Sequence, residues 1–166
     1  VQAGDTTESG TAELRVHPPS TMQNGLPLVE VTEYVDEEHP WVKPLLEEAL
    51  ATGVVERLGI EPGYSAAEAV PQIFAVWKAL RNRGLRYDDE GSRLTGVAEG
   101  QHVRLLHDYI GQGGGNCVDA SAALVTLLAA VGLDARVVMV PEHVLVAVSC
   151  PKELQWLDQI FIETTT

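Results

Sequence analysis

Gly113-Gly114-Gly115-Asn116-Cys117-Val118-Asp119-Ala120-Ser121-Ala122-Ala123-Leu124, running on through Leu127, Leu128 and Val131 to Gly132, is the stretch that decides how this chain is read. Ala120, Leu124, Leu127, Leu128 and Val131 recur at helical spacing and Gly132 closes the segment, which predicts a helix apolar enough to be central and buried. The glycines break the chain and place Cys117 where that helix opens. A thiol at a helix N-terminus faces unpaired backbone N–H groups and the positive end of the dipole, both of which favour thiolate. The glycines allow positive φ and leave room for a substrate backbone beside the sulfur, and nearby N–H groups are candidates for an oxyanion hole. The competing reading is a small buried cysteine behind a linker.

After the helix the period changes. Ala135 to Val140 is β-branched and reads as a buried strand, His143 to Cys150 as a second and Ile160 to Thr165 as a third. Helices followed by antiparallel strands predict an α+β architecture, with helices packed on an antiparallel sheet and the cysteine at the N-terminus of the central helix. His143 heads a strand of apolar residues, where a titratable ring needs a partner or a cleft. If 143–150 and 156–164 form a hairpin in which Cys150 pairs with Trp156, then His143 lies directly opposite Glu163 on one face, with Cβ atoms about 5 Å apart. Asp158 is the rival acid, near the hairpin tip, and the competing reading of Glu163 is an ordinary solvated charge. Cys117, His143 and Glu163 together supply a nucleophile, a base and an orienting carboxylate, the set that attacks an amide or ester carbonyl through a thioacyl intermediate.

Working upstream, Ser65 caps a helix with Glu68 three residues later, and Ala69, Ile73, Val76, Trp77 and Leu80 form its apolar face. It ends near Gly84 with Leu85-Arg86-Tyr87 as an extended exit, and Pro71 implies a later start or a kink. Trp41, Leu45, Leu46, Ala49 and Leu50 are spaced as one face of an earlier helix, Leu28 to Val35 reads as a strand, and 102–110 as a short helix. Residues 88–100 read as a loop, and 1–24 as a flexible leader before a domain spanning 25–166 with its core at about 65–166. The first residue is Val1, which is read as a processed or excised chain and favours an extracytoplasmic setting.

Composition narrows the function classes. A chain of 166 residues that is 45% apolar can bury a core as a single domain, which argues against a disordered tail. A net charge of −13, from 24 acidic and 11 basic residues, repels phosphate backbones and argues against a nucleic-acid partner. No apolar run reaches membrane-spanning length. Two cysteines, Cys117 and Cys150, make neither a disulfide scaffold nor a four-cysteine zinc framework, although one disulfide between them is arithmetically possible.

The stretch from Gly115 to Leu124, with Leu127-Leu128, Val131-Gly132-Leu133 and Ala135-Arg136-Val137-Val138, resembles the transglutaminase-like branch of the papain-like cysteine enzymes. His143 with its apolar strand, Trp156 and Phe161-Ile162-Glu163-Thr164-Thr165 continue the resemblance in order, and Ile73 to Trp77 and Leu85-Arg86-Tyr87 extend it upstream, over about residues 70–165. The resemblance implies a papain-like core, a catalytic set of Cys117, His143 and Glu163, and a peptide or protein substrate that is hydrolysed or transamidated, with no cofactor. The acid is glutamate where aspartate is commoner, Glu142 precedes His143 where glycine is frequent, and Val144 follows where a small or aromatic residue is usual. Asp119 also matches and reads as structural, Gln101 and Gln112 are further oxyanion candidates, and no EF-hand loop suggests calcium activation. Two alternatives stand beside this reading: a non-catalytic interaction module keeping the fold, and zinc bound by Cys117, His143 and Cys150, whose spacing fits no compact ligand pattern. Oligomeric state is not legible.

Overall fold

The computed structural model describes residues 21–23 (backbone only), 34–88, 100–140, 143–152 and 158–165. In chain order the elements are β1 (Thr21–Gln23), α1 (Val42–Ala51), α2 (Ala66–Asn82), β2 (Arg86–Tyr87), β3 (Gly100–His102), α3 (Leu106–Gly111), β4 (Gly114–Gly115), α4 (Cys117–Ala130), β5 (Ala135–Val140), β6 (His143–Ser149) and β7 (Gln159–Ile162). The architecture is mixed α+β. β5, β6 and β7 form an antiparallel sheet in that order, β1 pairs antiparallel with β3, and β2 pairs parallel with β4.

The central helix is buried all round. Every residue of α4 from Val118 to Leu128 is inside, packed between β5 and β6 on one side and α1, α2 and α3 on the others. An apolar stripe would have sufficed for a helix on the surface; α4 is apolar nearly all round because Val118 to Leu128 have no surface face, and its buried polar residues, Asp119, Ser121 and Thr126, are each hydrogen-bonded. Its turn into β5 uses Gly132 at φ +94°, and a side chain there would meet the Ile60 carbonyl oxygen at 2.7 Å.

α2 begins as its sequence demands: the Ser65 side chain accepts from the Glu68 amide while the Glu68 carboxylate accepts from the Ser65 amide, a full capping box. The helix then runs through Pro71 without starting later. Proline in a helix interior forfeits one backbone hydrogen bond and costs about 3 kcal/mol; burial of Ala69, Ile73, Val76 and Leu80 along the same face opposes that cost.

Four sequence expectations are corrected. α1 buries Val42, Leu45 and Ala49, and leaves Trp41 and Leu50 exposed, because packing against α2 selects a face rotated from the one the spacing suggested. The helix expected from 102 starts only at Leu106, since Gln101 and His102 pair with β1 and the Arg104 amide is taken by Asp119. Thr21–Gln23, read as the end of a flexible leader, form β1. Tyr34 and Val35 belong to no strand, and the rest of the strand expected at 28–35 lies outside the described residues, as do residues 1–20 and the loop at 89–99.

The glycines ahead of α4 also serve a different purpose from the one expected. A side chain on Gly114, at φ +137°, would lie 2.0 Å from the Arg86 carbonyl oxygen, and one on Gly115 would lie 2.3 Å from Asp119 Oδ2. Both positions are filled by the protein's own β2 backbone and by the Asp119 carboxylate, so they admit no substrate; Gly113, at φ +78°, faces open space. Gly114→Ala is therefore expected to cost about 3 kcal/mol or more in urea unfolding, against about 1 kcal/mol for Gly113→Ala, which carries the backbone strain alone. Equal losses at the two positions would contradict this packing.

Candidate functional site

Asn116 is the N-cap of α4, its side-chain oxygen accepting from the Val118 and Asp119 amides at 2.8 and 3.1 Å. Asp119 reciprocates, with Oδ2 accepting from the Asn116 amide at 3.0 Å. Its other oxygen accepts from the Arg104 amide at 2.7 Å, and the Arg104 guanidinium lies 3.5 Å from Oδ2. That guanidinium also donates to the Gly114 carbonyl at 3.1 Å and to Asp88 at 3.0 Å. Asp119 is 1% exposed and Arg104 7%, so this is an enclosed ion pair whose geometry orients the first turn of α4 and hence Cys117. Asp119 is structural, as its position suggested. Arg104 went unnoticed in the sequence, although a basic residue between Val103 and the pair Leu105-Leu106 is a signal that its charge is used inside.

Cys117 is half-buried at the tip of α4 and is a free thiol, as is the fully buried Cys150. The nearby amides of Val144, Val118 and Cys117 itself pull the thiol pKa down. Of these amides that of Val144 has the largest effect, and it stands at the head of β6, ahead of the last β6–β7 pair, Val146 with Ile162. Removal from water outweighs these amides, and Asp119 adds negative charge, so the thiol is held above its ordinary pKa. The thiolate expected from the helix terminus is thus not the resting form: desolvation wins over the dipole.

His143 opens β6 one residue before Val144. Its Nε2 lies 2.7 Å from Glu163 Oε2, and the other Glu163 oxygen accepts from the Thr165 amide at 2.9 Å and the Thr165 hydroxyl at 2.6 Å. Partial burial raises the Glu163 pKa, but the Thr165 and His143 interactions outweigh it and hold the carboxyl at about 2. Nδ1 of His143 has no hydrogen bond among the described residues, and no hydrogen bond joins the ring to the Cys117 sulfur.

The expected register is corrected. Val146 pairs with Ile162 and Ser149 with Gln159, a slip of two residues that sets Glu163 diagonal to His143 instead of opposite. A one-residue slip would have reversed the face; a two-residue slip preserves it, and the longer glutamate side chain spans the diagonal. Asp158 lies before β7 and has no bond to His143 among the described residues. Trp156 and Glu142 lie outside the described residues, as does the Gln101 side chain; Gln112 is exposed at the end of α3. A contact the sequence did not suggest ties the parts together: the Ser121 hydroxyl, one turn along α4 from Cys117, meets the Thr164 hydroxyl at 3.1 Å. It links the helix of Cys117 to the residue following Glu163.

Among the described residues, no cluster of histidine, cysteine, aspartate or glutamate is arranged to hold a metal ion, and no helix is long and apolar enough to cross a membrane. Comparison with protein-family models, with curated proteins and with solved structures found no match.

Two measurements test this geometry. Because Glu163 titrates lower in the folded chain than its ordinary 4.5, its contribution is complete above that value and is lost as pH falls toward 2. The urea midpoint of Glu163→Gln should therefore lie below that of the unsubstituted chain at pH 6, and the two should converge as the pH approaches 2. Asp119→Ala, which strands Arg104 in the interior, should cost about 3–5 kcal/mol in the same assay.

Proposed function

We propose that this chain is a transglutaminase-like cysteine enzyme with a papain-like core, attacking a peptide or protein amide carbonyl through Cys117, His143 and Glu163. The observation that carries the reading is the 2.7 Å His143–Glu163 bond at the head of the strand whose next amide, that of Val144, is the one that most lowers the Cys117 thiol pKa. Glu163 holds the ring with Nε2 toward the carboxylate and Nδ1 available to the thiol, the division of labour that a histidine base requires.

The raised thiol pKa determines how the chemistry runs. Cys117 rests protonated, and His143 removes the proton as the sulfur attacks, so that imidazolium forms beside the ionised Glu163. The new S–C bond converts the carbonyl into a tetrahedral oxyanion, for which the Cys117 amide is a donor with no other acceptor among the described residues. His143 returns the proton to the departing amine, the C–N bond breaks, and a thioester remains. Water or a second amine, deprotonated by the same ring, then releases the acyl group and restores the thiol. Hydrolysis and transamidation share every residue and differ only in that last nucleophile.

The protonated thiol also favours a second reading, an interaction module that keeps the fold without turnover. Hydroxylamine separates the two. With a library of short amide-blocked peptides and hydroxylamine, the chain should produce peptide hydroxamates, and Cys117→Ala should abolish them. His143→Ala should slow the reaction by about 10²–10⁴-fold, while Cys150→Ala leaves it intact. Hydroxamate no higher than with Cys117→Ala would establish the module instead.

A further inference from the structure

Two adjoining cavities lie beside the face of α4 that carries Cys117. The larger, about 260 Å³, is walled by Trp77, Arg81, Tyr109, Ala120, Leu124 and Thr164. The smaller, about 90 Å³, shares Leu85, Tyr109, Ala120 and Thr164 with it and adds Arg86, Gly115 and Thr165. Gly115 and Ala120 flank Cys117 in the chain, Ala120 and Leu124 stand on its helix face, and Thr164 and Thr165 directly follow Glu163. Cys117, His143 and Glu163 line neither cavity themselves; the cavities are walled by their neighbours in the chain, on the helix side and on the acid side.

The charge of this space runs against that of the molecule. In a chain of net charge −13, neither cavity is lined by a carboxylate among the described residues, yet each has an arginine. Arg81 and Arg86 are exposed and form no ion pair among the described residues, whereas Arg83 and Arg104 do. Arg81 lies 4.8 Å over the Trp77 ring, which orients its guanidinium without neutralising it. Tyr109 supplies an independent signal. It is 6% exposed, lines both cavities, and its hydroxyl bonds to none of the described residues. Burial, with the charge of Asp119, pushes its pKa up to about 12, which keeps the phenol a donor.

We propose that these joined cavities bind a carboxylate of the peptide substrate, with Arg81 and Arg86 taking the charge and Tyr109 donating a hydrogen bond, a reading that rests on the attack by Cys117 proposed above. Guanidinium groups match carboxylate geometry, and a positive cleft on an acidic protein concentrates anions that the remaining surface repels. The substrate is then an acidic peptide, its carboxylate either a side chain or a free C-terminus.

Binding to the full chain carrying Cys117→Ala tests this without requiring turnover. Three N-blocked tetrapeptides serve as probes in calorimetric titration: one amidated with an internal glutamate, its glutamine isostere, and a neutral one with a free terminal carboxylate. Either carboxylate peptide should bind about tenfold more tightly than the glutamine peptide, and the tighter of the two identifies the source of the carboxylate. Adding Arg81→Ala or Arg86→Ala should erase most of that preference, and Tyr109→Phe should reduce it. Arg136→Ala, on exposed β5, should leave it unchanged. Equal binding of all three probes, or a preference that survives loss of both Arg81 and Arg86, overturns the proposal. If hydroxamate formation succeeds while this preference is absent, the cavity assignment fails alone; if the preference holds and hydroxamate is absent, the attack by Cys117 fails alone.

Discussion

The enclosed pair of Asp119 and Arg104 is the interaction on which the rest of the site depends. Asp119 bonds the amide at the start of its own helix and the amide of Arg104, and Arg104 bonds the carbonyl of Gly114, so one carboxylate and one guanidinium lock three segments at a single point. The lock has no room for a side chain on Gly115, and the parallel pairing of β2 with β4 leaves none on Gly114. An ion pair removed from water gains little net stability unless its remaining valences are satisfied. Here most are, and what the pair provides is direction: it fixes where α4 begins and therefore where Cys117 is presented.

The second half of the site is held by hydrogen bonds of a different kind. His143 and Glu163 are partly open to solvent, and their pairing relies on Thr165 to fix the carboxylate and on the Ser121–Thr164 contact to anchor the segment against α4. Cys117 and His143 thus come from separate units, a capped helix and a strand end, joined through packing of α4 on β6 and the Ser121–Thr164 hydroxyl pair. The half-buried setting of the sulfur deprives it of water, and this holds the thiol above its ordinary pKa although it stands at a helix terminus.

Legibility in the sequence followed the range of the interaction. The capping box at Ser65, the apolar spacing of α4 and the β-branched runs of β5 and β6 are short-range or compositional signals, and they named those elements well, whereas the capping box at Asn116 was not read. Pairing Cys150 with Trp156 misplaced the β6–β7 register by two residues, because the turn that sets register has no signature in Pro151 and Lys152. The face of His143 and Glu163 survived the error because side chains alternate with a period of two. The glycines were recognised as conformationally necessary, but what occupies the space beside them was not legible, since β2 and Arg104 approach from distant parts of the chain.

By itself the amino-acid sequence determined the long helices α2 and α4 and the strands β5 and β6, that α4 would be central, and that a cysteine would stand at its first turn, because capping, periodicity and apolar content act within a few residues; the short strands β1, β3 and β4 depend on partners elsewhere in the chain. Tertiary structure alone decided that Arg104 would answer Asp119, that Glu163 would reach His143 on the diagonal, and that Cys117 would remain a thiol. Each of those depends on desolvation and on partners brought together from far along the chain, and neither quantity exists until the chain has packed.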